Sequence, residues 1–313
     1  MFPVRFAILL MMALASCADR SFAPVLAEAE AVGKTRTVFV ATTRTQNSDG
    51  YYSHGRSDKL TYLDVDVSIP PSHKPGNLRT SARLPDPDKH FVISRQNELP
   101  SADRFRAALR AKLALLPPSE REVVIYVHGY NNSYSDGVFR AAQLNHDFQL
   151  PGVSVAYSWP SDAYPLGYSH DRDSALFGRD GLESVLRQMR PAGARRVILV
   201  AHSMGSHLAM ETLRQIDIGD PGWSKHNLDG VALVSPDIDL DVFRQQASRI
   251  RGLPENFAVF VSKKDRVLGL SARINGQSRR LGQVTDASEL SEFPLILMDV
   301  SEFSGEKTPG HFT

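Results

Sequence analysis

Ser203 stands near the end of the apolar run Val197-Ile-Leu-Val-Ala-His-Ser-Met-Gly205, with Ala201 and Gly205 two residues to either side. A serine hydroxyl near its free pKa is a poor nucleophile. It serves as one only when a tight turn exposes it and a base lies within reach. The surroundings supply such a turn: Arg196–Val200 reads as a buried parallel strand, and Gly205–Ile216 as a helix with apolar residues at helical spacing. Where a strand turns sharply into a helix, the backbone crowds the positions two before and two after the central residue, so only small side chains fit. Ser203 as a plain helix cap would explain the hydroxyl but not the motifs elsewhere in the chain.

Those motifs sit at the ends of other apolar runs. Val123–Val127 leads into His128-Gly-Tyr-Asn-Asn132, where Gly129 leaves the backbone open to close approach. The runs beginning at Gly152, Gly230, Phe257 and Phe293 complete six such segments, and Pro160 ends the one through Trp159. Apolar runs alternating with polar, helix-length stretches imply crossover connections and a largely parallel sheet, the α/β class. Upstream, Thr37–Thr43 and Leu60–Ile69 read as partly antiparallel first strands, Lys89–Ser94 as an edge strand and Ala102–Leu115 as an amphipathic helix. The stretch from Trp159 to Gly181 is too short for a cap domain and reads as a small lid or pocket wall, with Trp159, Tyr164 and Tyr168 either lining an acyl site or packed in the core.

Ala201-His-Ser-Met-Gly205 resembles the Gly-x-Ser-x-Gly nucleophile elbow of α/β-hydrolases, with alanine for the first glycine. Val38-Phe-Val-Ala-Thr-Thr-Arg44, His128-Gly-Tyr-Asn-Asn, Tyr157-Ser-Trp-Pro-Ser, Ser235-Pro-Asp-Ile-Asp and Gly310-His311 extend the likeness to one bacterial α/β-hydrolase family of unassigned substrate, over Thr35 to His311. The resemblance implies an α/β-hydrolase fold, a mostly parallel sheet with helices on both faces and a small cap or none. It implies a serine hydrolase that cleaves carboxylic esters through an acyl-enzyme, with no cofactor. Ser203 would be the nucleophile and the N–H groups of Tyr130 and Met204 the oxyanion hole. The family's chain order, serine then acid then histidine, leaves His311 as the base and Asp265 as the acid, with Asp237 and Asp239 as the runner-up pair. His207 lies on the elbow helix, His226 at the far end of the sheet, and His128 reads as structural. Two other readings fit the same motifs: an envelope acyltransferase, and a noncatalytic lipoprotein that keeps the scaffold for binding.

Composition narrows the partners. Lys plus Arg number 36 and Asp plus Glu 35, so the net charge of +1 offers no basic footprint for nucleic acid. The expected substrate is instead a small-molecule or lipid ester. No His-x-x-x-His or Cys-x-x-Cys pattern suggests a metal site. The first 16 residues carry one basic residue and a short apolar stretch, the pattern of an export signal. Leu14-Ala-Ser-Cys17 resembles a bacterial lipobox, which makes Cys17, the only cysteine, the lipidated residue. Residues 17–34 then read as a tether and 35–313 as the hydrolase domain, on a protein of the cell envelope held by a lipid anchor in the outer membrane, facing the periplasm.

Overall fold

A long antiparallel hairpin opens the sheet. β1 (Lys34–Gln46) and β2 (Tyr52–Ile69) pair from Lys34–Ile69 to Gln46–Tyr52, and the Asn47–Gly50 turn closes with Gly50 at φ 82°. β2 is longer than its apolar run, because Ser53–Lys59 is polar and half-buried or exposed. β3 (Val92–Leu99) lies antiparallel at the outer edge, and the proline-rich stretch before it forms no helix or strand among its described residues. The computed structural model describes residues 20–81, 84–263 and 279–303.

From there strands and helices alternate: α1 (Ala102–Ala114), β4 (Glu122–Val127), α2 (Tyr134–Asp147), β5 (Val153–Ser158), α3 (Tyr168–Phe177), α4 (Arg179–Met189), β6 (Arg196–His202) and α5 (Met204–Gly219). α6 (Trp223–Asn227), β7 (Gly230–Val234), α7 (Leu240–Arg249), β8 (Asn256–Val261) and β9 (Ile296–Asp299) follow. The sheet order is β3-β2-β1-β5-β4-β6-β7-β8-β9, and every pair from β1 to β9 is parallel. The expected α/β architecture is therefore present, with antiparallel strands confined to the β1–β3 end.

Period-2 alternation splits the core into two layers. Phe39, Ile125, Val155 and Leu199 face α1, α4, α5 and α7, while Val38, Val40, Tyr126 and Ala156 face α2. α2 covers the half of its face nearer β1. On the same face of β6–β8, Ile198, Val200, Ala232, Val234, Ala258 and Phe260 are only half-buried. α2 starts with a capping box, in which Ser133 accepts from the Asp136 N–H and Asp136 accepts from the Ser133 N–H.

The stretch read as a tether is held against the domain from Arg20 onward. Arg20 donates to Asn131 O, Ala163 O and Asp136, Val25 bridges Ile93, and Ala29 is buried.

Candidate functional site

The carboxyl ends of β4, β5, β6 and β7 converge on Ser203. It follows β6 directly and precedes α5, with φ 51° and ψ −123°. A left-handed φ in a non-glycine residue costs on the order of 1–3 kcal/mol, so the surrounding contacts must hold it there. Several do. The Ser203 N–H donates to Val234 O at 2.9 Å, and Ser203 O accepts from the N–H groups of Ser206 at 3.0 Å and Asp237 at 3.2 Å. The Ser206 hydroxyl donates to Ala201 O at 3.0 Å. These bonds fasten the turn to the end of β7.

The two small residues have the expected cause. Ala201 pairs with Val127 in the centre of the sheet and is fully buried. A Cβ on Gly205 would collide with the carbonyls of His128 and Val127, so α5 approaches β4 only because residue 205 has no side chain. Gly129 has the same role on the opposite strand. A Cβ there would lie 2.6 Å from His202 Nδ1 and 2.8 Å from Ser203 Cβ. The His-Gly turn and the serine turn are thus in contact, which brings Tyr130 and Met204 to the same corner as Ser203.

The loop that carries Tyr130 is fixed by buried charge. Arg44, at the end of β1 and 2% exposed, donates to Asn132 O at 2.8 Å, Ser161 O at 2.9 Å, Ser53 O at 3.1 Å and Ser158 Oγ at 2.9 Å. Burial draws its pKa down to about 10, against the upward pull of Asp171 and Asp136, so it stays protonated at neutral pH. Asp171, wholly buried on α3, accepts from the Asn131 N–H at 3.0 Å, the Ser161 hydroxyl at 2.6 Å and the Asp162 N–H at 2.6 Å. Asn131 takes φ 57° within this network. Neither Arg44 nor Asp171 was singled out by the sequence. Arg44 entered the sequence reading only as the last residue of the Val38–Arg44 string.

His128 is structural, as read from the sequence. Its Nδ1 lies 2.9 Å from Gly129 O and its Nε2 3.1 Å from Trp159 O, while its ring stacks on Trp159 at 4.8 Å. Burial first, and then the Arg44 charge, push its pKa down to about 3. A neutral ring that donates its one N–H to a carbonyl, with the Arg44 guanidinium 3.4 Å from Nε2, is unsuited to act as a base. His207, mostly buried on α5, is also lowered by burial.

The runner-up acids separate by role. Asp239 caps α7 by accepting from the N–H groups of Asp241 at 3.0 Å and Val242 at 3.2 Å. Asp237 is buried beside the serine turn, accepts from the Tyr168 hydroxyl at 3.0 Å and pairs with Arg280 Nε at 3.3 Å. Tyr168 in turn packs edge-on against Tyr130 at 5.5 Å, and the Tyr130 hydroxyl donates to Pro165 O. Burial raises the Tyr130 phenol to about 12, so it is un-ionised at neutral pH. Within the Trp159–Gly181 stretch, Tyr168 therefore packs between Tyr130 and Asp237, whereas Trp159 is fully buried in the core and Tyr164 is partly exposed. Asp265, His311 and Cys17 lie outside the described residues.

A parallel sheet with helices on both faces, a strained serine turn after its central strand and a glycine turn against it define the α/β-hydrolase class. The chain belongs to the family described as an alpha/beta hydrolase of unknown function (DUF900), whose model matches residues 103–308. Among solved structures it is similar to the ydeN gene product of B. subtilis, with 19% identity, 61% of this chain and 88% of that one covered, and a TM-score of 0.34. Feruloyl esterase B from Aspergillus oryzae shares 10% identity over 65% of this chain and 34% of its own, with a TM-score of 0.25. Superpositions this loose carry no argument about substrate. No curated protein matches the chain.

Proposed function

We propose that the protein is a serine hydrolase that cleaves carboxylic esters through an acyl-enzyme. The observation that supports this most is Ser203 at φ 51° and ψ −123°, wedged against Gly129. A strained turn stabilised only by its surroundings is what places a hydroxyl beside two backbone donors rather than inside a regular helix. In this reading Ser203 Oγ attacks the ester carbonyl carbon as its proton passes to His311. The N–H groups of Tyr130 and Met204 hold the oxyanion. His311 then gives its proton to the departing alkoxide, and water repeats the sequence on the acyl-enzyme to release the acid.

Asp265 is the proposed carboxylate that orients His311, with Asp237 as the alternative because it already lies against the serine turn. A lipid on Cys17 would place this activity at the cell envelope, on the periplasmic side of the outer membrane. Among the described residues no helix is long and apolar enough to cross a membrane. The test is a panel of p-nitrophenyl esters of increasing acyl length, with the acid product measured. Hydrolysis that disappears in Ser203→Ala supports the reading. Turnover undiminished in that variant overturns it, and acyl transfer to an added alcohol in preference to water would mark a transferase.

A further inference from the structure

We propose that His73, His146 and Asp147 form a binding site for a divalent transition-metal ion of zinc-like ligand preference. His73 lies in the loop after β2, and His146 and Asp147 lie in the last turn of α2. Polar atoms of all three lie within 4.8 Å of one another, close enough for the two imidazoles to share one ion while the carboxylate orients a ring. The residues are 73 and 146–147 in the chain, so no local spacing announces them.

The ring nitrogens make the stronger case. Nδ1 of His73 and Nδ1 of His146 are both buried without a hydrogen-bond partner. Buried polar atoms are nearly always paired, so two such nitrogens in neighbouring rings are an exception that a bound ion would remove. His73 is held by its other nitrogen: Nε2 lies 2.6 Å from Asp147 Oδ1, and its side chain is only 5% exposed. An imidazole that donates Nε2–H to a carboxylate presents a lone pair at Nδ1, as histidine ligands of metals do. Asp147 is positioned as well, since Oδ2 accepts from the Gly76 N–H at 2.8 Å. The His73 and His146 rings meet edge to face at 5.5 Å.

Donor chemistry selects the ion. Two imidazoles, one of them oriented by a carboxylate, suit zinc and its neighbours with water completing the shell, whereas calcium and magnesium call for oxygen ligands. Arg36 and Lys34 lie near His146 and oppose a dication. Asp147 and the carbonyl end of α2 offset them. α2 starts beside the serine corner and runs 14 residues away from it, so the cluster lies about 20 Å from Ser203. The ion would therefore clamp the Pro70–Gly76 loop to α2 and take no part in ester chemistry.

The full chain, stripped with chelator, would be titrated with Co²⁺ followed by visible absorption and with Zn²⁺ followed by calorimetry. One equivalent should bind, with the d–d bands of a nitrogen-ligated cobalt centre. His73→Ala and His146→Gln should each weaken binding about 100-fold and Asp147→Asn about tenfold, while Ser203→Ala leaves it unchanged. Should His73→Ala fold poorly, His146→Gln at the helix end still decides the matter. No uptake of either ion by the parent, or equal uptake by the folded His146→Gln protein, overturns the proposal.

Discussion

Gly129→Ala tests whether the contact between the two turns serves chemistry. The new Cβ would sit 2.8 Å from Ser203 Cβ and 2.6 Å from His202 Nδ1, with His202 O at 3.0 Å. Carbon atoms in ordinary contact keep about 3.5–4.0 Å between them, so the turns must part by roughly 1 Å. The His202 ring could turn aside, but the contacts to Ser203 Cβ and His202 O remain, because Ser203 is held through its backbone to β7. A displacement of that size between a nucleophile and its oxyanion donors costs on the order of 100-fold, near the ~3 kcal/mol lost with one donor. The measurement is kcat/KM on p-nitrophenyl acetate for parent and variant, with thermal unfolding as the control for folding. A folded Gly129→Ala protein with kcat/KM within about twofold of the parent would refute the view that this contact sets the oxyanion geometry.

Arg44→Met should destabilise the protein by about 3–5 kcal/mol in urea unfolding, because it strips partners from three carbonyls and leaves Asp171 uncompensated in the core. Asp239→Ala should cost about 1 kcal/mol, the worth of a helix cap, and leave ester turnover unchanged. Asp237→Asn should cost about 3–5 kcal/mol, since Arg280 would remain buried without its counter-charge, and adding Arg280→Met should recover part of the loss. His128 protonates near 6.5 when unfolded and near 3 when folded. Between those values the unfolded chain binds more protons, so stability present above pH 6.5 falls with pH. At pH 5 this residue should cost about 2 kcal/mol relative to pH 7, and urea unfolding of His128→Asn should lack that slope.

The sheet was legible where burial on both faces made a strand uniformly apolar, as in β4, and the serine turn was legible because crowding demands small residues at 201 and 205. Polar strand segments were not. Ser53–Lys59 extends β2 by backbone pairing to β1 with polar, half-buried or exposed side chains, so it carries no hydrophobic signal. The network around the site was hidden for a different reason. Arg44, Asp171 and Asn131 are far apart in the chain and meet only through the strand order β1-β5-β4, which no string of residues encodes. Asp237 and Asp239 look alike in Ser-Pro-Asp-Ile-Asp, and only the start of α7 assigns one to a helix cap and the other to the buried pair with Arg280.

The proposed chemistry requires an activated hydroxyl at Ser203, and covalent labelling measures that directly without knowledge of the substrate. The protein would be treated with a fluorophosphonate and the modified peptide mapped by mass spectrometry. One adduct is expected, on Ser203, abolished by Ser203→Ala and slowed by Gly129→Ala and His311→Ala. A folded protein that takes up no label, or takes it up at another residue while Ser203 stays unmodified, would contradict it.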